Sequence, residues 1–99
     1  MRSSLIFHPL IQRDLDGILK YYSDEVSDVV ADQFFEAFLA IVNQAKENPK
    51  RFHFENAVLR RAKIHGFPYH FLYREISSGI RVLVVRHDKR HPSFGMRRK

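Results

Sequence analysis

The spacing of the apolar residues changes once along this 99-residue chain, and that change constrains the fold more than any other feature. Between Ile11 and Ala45 the apolar residues recur every three or four positions, which is the period of an amphipathic helix. Between Val58 and His87 they largely alternate with polar residues, as in half-buried strands. Helices followed by strands, rather than alternating with them, indicate an α+β fold with segregated layers.

The helical part predicts two helices joined as an antiparallel hairpin. The first begins at Ile11, and Gly17 inside it costs about 1 kcal/mol relative to alanine. That glycine indicates either a second element passing close by or a weak point in the helix. Residues 23–27 are typical of a turn, which leaves a link of about five residues. The apolar face of this first helix comprises Ile11, Leu15, Ile18 and Tyr22.

The second predicted helix runs for about 20 residues, or roughly 30 Å. Ser27 or Asp28 can cap its first turn, because either side-chain oxygen can accept a free main-chain N–H. It ends at Asn48-Pro49, since the residue before a proline avoids the helical region. Its apolar stripe comprises Ala31, Phe34, Phe35, Phe38, Ile41, Val42 and Ala45.

Four strands are predicted, at residues 4–8, 58–64, 67–76 and 80–87, and the last three are joined by short hairpin links. In the third strand Tyr69, Phe71 and Tyr73 share one face, which we expect to cover the helices, although such a stripe can also stack bases. Strict alternation in the last strand would place Val82, Val84 and Arg86 on one face. It would place Arg81, Leu83, Val85 and His87 on the other. The expected fold is α+β, β-α-α-β-β-β, a small antiparallel sheet packed against an N-terminal helical hairpin.

Positive charge is concentrated in the second half of the chain. The formal net charge is +6, yet residues 1–57 hold six Lys/Arg and nine Asp/Glu, whereas residues 58–99 hold eleven Lys/Arg and two acids. Such segregation favours an acidic partner at one face, either nucleic acid or an acidic protein segment. The alternative is a solvated surface that happens to be basic.

Composition excludes several classes of protein. There is no cysteine, which rules out a disulfide framework and a thiolate metal site and suits a reducing compartment. The apolar runs are too short to span a membrane, and the N-terminal one is too short for a signal peptide. We therefore expect a cytoplasmic protein with no cofactor and no metal.

Three stretches carry a resemblance to a known group of proteins: "RDLDGILKYY" in the first helix, "LRRAKIHGFPYHFLYRE" across two strands, and "IRVLVVRHDKRHP" at the end. Together they resemble the RelE/ParE superfamily of bacterial toxins, on the ParE side, as a single domain over residues 1–99. The resemblance implies the toxin of a type II toxin–antitoxin system, of the kind linked to plasmid stabilisation. It implies growth inhibition by binding a target such as DNA gyrase, and neutralisation by a cognate antitoxin, with a homodimer or a heterotetramer as the assembly.

The same resemblance leaves two alternatives open. A RelE-like toxin would cut mRNA on the ribosome, and an inactive relative would bind only its antitoxin. In RelE-type terms His70 stands where a sheet arginine is expected, Arg90 matches the arginine after the last strand, and the tyrosine position falls near Met96. The candidate catalytic residues of a ribonuclease are Arg61, His70, Arg90 and His91, because RNA cleavage needs a base, an acid and positive charge near the phosphate. Against this, His70 on a half-buried strand is also typical of a structural histidine.

We expect the target-binding residues to be the cations of the last three strands and of the segment behind them. A strand end would bring these groups to the rim of the sheet, near Arg61 and His70. The candidates are Arg60, Arg61, Lys63, Arg86, His87, Lys89, Arg90, Arg97 and Arg98.

Overall fold

The computed structural model describes residues 4–99; Met1, Arg2 and Ser3, part of the N-terminal stretch considered above, lie outside the described residues. The chain forms, in order, a strand, two helices and three strands. They are β1 (Ser4–Phe7), α1 (Ile11–Glu25), α2 (Asp28–Glu47), β2 (Arg60–Lys63), β3 (Tyr69–Ile76) and β4 (Gly79–His87). The predicted fold class and order of elements are confirmed, and β2 is shorter than expected.

The four strands form one sheet in the order β1-β4-β3-β2. β2, β3 and β4 are an antiparallel meander, but β1 pairs with β4 in parallel, with Leu5 opposite Ile80. The sheet is therefore mixed rather than wholly antiparallel, because β4 and β1 run in the same direction. Gly79 allows this pairing, since a Cβ there would collide with the main-chain oxygen of Ser4.

The helical hairpin is tighter than the sequence suggested. α1 continues through residues 23–25, where Lys20 pairs with Asp24 one turn away at 2.5 Å, so only two residues separate the helices. Ser27 is the N-cap of α2, and its Oγ accepts the N–H of Val30 at 3.2 Å. Within residues 4–99 no element passes close to Gly17, because a Cβ there would meet none of their atoms within 4 Å. Of the two interpretations of Gly17, the close approach of a second element is therefore wrong.

The main core lies between the helices and the sheet. Phe34 and Phe38 of α2 face Phe71 of β3, with the rings of Phe38 and Phe71 5.7 Å apart. Tyr73 is fully buried beside them, and its hydroxyl donates to the main-chain oxygen of Pro49 at 2.6 Å. Phe71 and Tyr73 are thus core, as expected, and are covered by the helices, whereas Tyr69 at the end of the stripe is half-buried.

A bulge breaks the alternation predicted for the last strand. Leu72 pairs with Val84, but the next residue of β3 pairs with Val82, so Leu83 is an extra residue in β4. As a result Val82 and Val85 join the main core, while Leu83 and Val84 lie on the opposite face. The expected grouping of Val82 with Val84, and of Leu83 with Val85, is therefore wrong.

Residues 88–99, the C-terminal segment, fold back over the face of the sheet that the helices leave open. Phe94 and Met96 pack there against Leu59, Leu72, Leu83 and Val84, and so form a second small core. Gly95 lies at φ 79°, and a Cβ on it would stand only 2.5 Å from Cγ2 of Val84. The fold therefore has three layers: the two helices, the sheet, and the C-terminal segment on the opposite face of the sheet. Among the described residues, no helix has the length and apolar character needed to span a bilayer.

Candidate functional site

A buried polar network lies where β4 ends and the C-terminal segment begins. Antiparallel pairing places His70 opposite Arg86 on the face that the segment covers. His70 is 1% exposed. Its Nδ1 lies 2.8 Å from Oδ1 of Asp88, and its Nε2 lies 2.9 Å from Nε of Arg86.

The partners of His70 define its protonation. A guanidinium group only donates hydrogen bonds, so Nε2 of His70 is the acceptor and carries no proton. The proton is then on Nδ1 and is donated to the Asp88 carboxylate. Burial lowers the pKa of His70 and the nearby charges of Arg61 and Arg86 lower it further, although the Asp88 hydrogen bond opposes them. His70 is thus a neutral imidazole with both nitrogens engaged.

Asp88 is the anion around which this network is organised. It accepts a hydrogen bond from His70, and it forms ion pairs with Lys63 at 2.9 Å and with Arg61 at 3.5 Å. Burial by itself would raise the pKa of Asp88, but the hydrogen bonds from His70 and Lys63 outweigh it, and the pKa is lowered. The carboxylate therefore stays ionised and offsets part of the local positive charge.

The Arg86 side chain is buried and makes its hydrogen bonds inside the fold. It is 4% exposed, and its Nη1 donates to the main-chain oxygens of Pro92 and Phe94 at 2.8 and 3.0 Å. It therefore fastens the C-terminal segment to β4. A target cannot reach this guanidinium while the segment is in place, so direct target contact by Arg86 does not fit the structure.

Two more of the predicted target-binding arginines are taken up by the fold. The Arg60 side chain lies on the helix side of β2, where it bonds Glu75 and the oxygen of Phe52 and covers the Phe54 ring at 3.9 Å. Arg98 makes a two-pronged ion pair with Asp14 of α1, at 2.5 and 3.0 Å. Only 11% of the Arg98 side chain and 5% of the Asp14 side chain are exposed. Neither arginine belongs to an open basic surface.

The remaining cations include a group that meets near Asp88. We call Arg61, Lys63, Lys89 and Arg90 the basic rim: the first two contact Asp88, the third follows it in sequence, and the last closes the turn that begins at His87. Arg90 lies over the Phe94 ring at 4.0 Å. Lys63, Lys89 and Arg90 are exposed and Arg61 is half-buried.

The other candidates stand apart from this rim or beside it. His87 is half-buried, packs edge-on against Tyr69 at 5.0 Å, and accepts the N–H of Lys89 through Nδ1. His91 is exposed and is engaged with Ser93 at 2.7 Å. Arg97 is exposed near Leu10, toward the β1 edge. The structure thus brings together only part of the predicted set.

This arrangement is suited to holding an anion rather than to transferring protons. Arg61 and Arg90 can each donate to a phosphate or a carboxylate. His70, however, has no nitrogen available to a substrate, so the expected group of base, acid and phosphate clamp is not assembled around it. Within residues 4–99, no cluster of His, Cys, Asp or Glu side chains has the arrangement needed to hold a metal ion.

Sequence reasoning missed the three carboxylates that organise the arginines. Asp14 binds Arg98 across 84 positions, Glu55 lies 3.3 Å from Arg61, and Asp88 gathers the network around His70. Asp88 offered a signal, because it is the single acid in the run "RHDKRH". For the other two no local pattern exists, since each pairing depends on the tertiary fold.

Comparisons with known proteins agree with this architecture. The chain matches the family described as ParE toxin of type II toxin-antitoxin system, parDE, over residues 5–92. A chain from the chromosomal ParDE toxin–antitoxin system of P. aeruginosa has the same fold, with a TM-score of 0.76 over 86% of this chain and 95% of that one. The two are 17% identical, so this likeness concerns the fold alone. No curated protein matches the chain. The family match spans most of the described fold, from β1 to the start of the C-terminal segment, and the chain therefore belongs to the ParE toxin family of type II toxin–antitoxin systems.

Proposed function

We propose that this toxin arrests growth by binding a cellular enzyme such as DNA gyrase through the basic rim, and that a cognate antitoxin neutralises it. The observation that carries the proposal is the closed environment of His70, which is buried and has both ring nitrogens engaged. A toxin that binds its target needs an exposed complementary surface but no free general base. Both DNA gyrase and the ribosome, the target of the nuclease alternative, are cytoplasmic.

The basic rim supplies the complementary surface. Arg61 and Lys63 pair with Asp88, and Arg61 also pairs with Glu55, whereas Lys89 and Arg90 make no ion pair among the described residues, so an excess of positive charge remains at this corner of the sheet. Exposed cations of this kind speed the encounter with an acidic partner and set its orientation more than they set the final affinity. The planar guanidinium groups of Arg61 and Arg90 can bind a carboxylate in paired fashion.

A different surface fits the antitoxin. A groove of about 610 Å³ lies between the two helices and β1, and its apolar wall includes Phe7, Leu19, Phe35 and Leu39. β1 forms one edge of the sheet and β2 the other, so this groove lies at the opposite edge from Arg61 and Lys63 of the basic rim. We expect the antitoxin segment to place apolar anchors in the groove and to carry acidic residues that compensate the basic half.

The proposal is tested by inducing the toxin and its Arg90→Ala variant in cells and measuring growth, with and without the co-expressed antitoxin. Arg90→Ala should abolish or strongly reduce growth inhibition and should leave antitoxin binding intact. Lys20→Ala is the matched control, because it removes one exposed positive charge from α1, away from the rim. A well-folded Arg90→Ala protein that remains fully toxic would contradict the role of the rim.

The mode of inhibition is read from two assays on the same induced cells and purified toxin. Inhibition of gyrase supercoiling, without new mRNA ends in primer extension, supports the proposal. New mRNA ends that persist in a His70→Gln variant would mean that the chain is a nuclease with a different catalytic set. A chain that binds antitoxin but gives neither effect would be the inactive relative.

A further inference from the structure

A second basic site adjoins the rim and shares Arg90 with it, in a cleft between α1 and the end of β4. Its volume is about 360 Å³, near the lower end of the roughly 300–1,000 Å³ that small-molecule pockets occupy. Arg13, Gly17 and Tyr21 line it from α1, and Tyr69, His87 and Arg90 line it from the opposite side. The cleft is therefore large enough for a ligand of mononucleotide size.

The glycine in this cleft is not explained by the fold. Gly17 is exposed in the middle of α1, where glycine costs about 1 kcal/mol relative to alanine. It does not have a positive φ, and a Cβ on it would meet no atom within 4 Å. Neither backbone conformation nor packing within residues 4–99 requires a glycine at this position. Its effect is to leave space open in the wall of the cleft.

The charges in the cleft favour an anion. Arg13 and Arg90 make no ion pair with any carboxylate among the described residues, and both line the cleft. Among the described residues that line the cleft, the one acid is Asp14, and its carboxylate already accepts hydrogen bonds from Arg98 and from the N–H of Val85. The two guanidinium groups are thus left to bind a charged ligand.

Aromatic surface lies beside these charges. Tyr21 is 55% exposed and lines both the cleft and a neighbouring pocket that shares Tyr69 and His87 with it. Tyr69 lies on the opposite side of the cleft, where its ring packs edge-on against His87 at 5.0 Å. An exposed aromatic ring next to two free arginines is the combination by which proteins stack a base and bind its phosphate.

We propose that this cleft binds a nucleotide unit, with the base against Tyr21 and Tyr69 and the phosphate between Arg13 and Arg90. The unit can belong to a free nucleotide or to single-stranded nucleic acid, since both present the same base and phosphate. An acidic peptide would satisfy the arginines but would make no use of the exposed ring of Tyr21.

The test measures binding to the full-length chain with two probes: a fluorescein-labelled oligothymidylate by anisotropy, and unlabelled AMP as competitor. Tyr21→Ala should weaken oligonucleotide binding about 5- to 150-fold, the usual effect of losing one stacking ring. Arg13→Ala should weaken it and reduce the slope of log affinity against log salt by about 0.7. Arg90 is left unchanged, because it also belongs to the basic rim, so failure here is distinguishable from failure of the rim.

The Gly17→Leu variant separates loss of ligand binding from loss of folding. Leucine is a better helix former than glycine, so this variant should melt at a higher temperature while its side chain fills the cleft and abolishes binding. Lys20→Ala on the same helix removes the same charge as Arg13→Ala and should bind like the parent protein. Competition by AMP would identify a free-nucleotide site, and binding of the oligonucleotide alone would identify a single-strand site.

Three outcomes would overturn the proposal: absence of saturable binding to either probe, unchanged binding by Gly17→Leu, and equal losses in Arg13→Ala and Lys20→Ala. A labelled decaglutamate peptide that binds the parent protein but not Gly17→Leu, when neither nucleotide probe binds the parent protein, would assign the cleft to an acidic peptide instead.

Discussion

The ion pair between Arg98 and Asp14 should be one of the largest single contributions to the stability of this domain. The Asp14 side chain is 5% exposed and accepts three hydrogen bonds, two from Arg98 and one from the N–H of Val85 at 3.1 Å. Arg98→Leu leaves a buried carboxylate with only the Val85 donor. Breaking a buried pair in this way costs about 3–5 kcal/mol. A small domain has about 5–15 kcal/mol in total.

That loss corresponds to a melting temperature lower by about 12–40 °C, at about 4–8 °C per kcal/mol for a domain of this size. Urea unfolding, followed by far-ultraviolet circular dichroism, measures the free energy directly. Adding Asp14→Asn to Arg98→Leu should recover much of the loss, because the amide oxygen still accepts from Val85 and no charge is left unpaired.

Comparing Arg98→Leu with the double variant distinguishes a structural role for Arg98, in the buried ion pair, from a role in target binding. If Arg98→Leu unfolds at nearly the same urea concentration as the parent and the second substitution restores nothing, the buried pair is not formed in solution. Arg98 would then be available as the target-binding residue that its position in a basic run suggested.

Three further expectations concern the core, the third layer and pH. Phe38→Ala should cost about 3–5 kcal/mol in urea unfolding, because Phe38 is 1% exposed between the helices and the sheet; a small loss would mean that its face is open. Gly95→Ala should cost more than about 1 kcal/mol, since alanine is strained at φ 79° and its Cβ would approach Val84 at 2.5 Å; an unchanged melting temperature would contradict the packing of the C-terminal segment. The folded-state pKa of His70 is below its ordinary 6.5, so the unfolded chain binds the proton first and stability should fall as pH drops below about 6.5 through the folded-state pKa. His70→Gln keeps a donor for Asp88 and an acceptor for Arg86 but cannot titrate, so it should lose less stability than the parent between about pH 7 and about pH 5; equal losses would exclude His70 as the source.

The helices and the order of the elements were predictable from sequence because they depend on local periodicity. The stripe from Ala31 to Ala45 can face only one way on a helix, and Phe34 and Phe38 are buried as that stripe requires. The extent of α1 was not predictable to the residue, since exposed polar residues such as Ser23 and Asp24 are compatible with a last turn as well as with a loop. The parallel pairing of β1 with β4 was missed because no local signal specifies it.

The basic surface could be predicted only as a charge, not as a geometry. Sequence shows that Arg60, Arg86 and Arg98 are cations, but whether a cation is available depends on the partner that the fold brings to it. Each of these three arginines has a side-chain partner within the fold: Glu75, His70 and Asp14 respectively. Arg90 pairs with no carboxylate among the described residues, and it is exposed, as predicted.

The parallel pairing of β1 with β4 has a consequence for synthesis on the ribosome. Ser4 pairs with Gly79, and every residue between them must be made before the first strand has a partner. Long-range pairings of this kind are slow to form, because a large loop must close before any contact compensates for it. Until then α1 and α2 can associate with each other, but the groove beside β1 has no completed wall. A nascent chain shorter than about 80 residues therefore cannot present that groove, and the antitoxin segment proposed to occupy it can engage only a nearly finished domain.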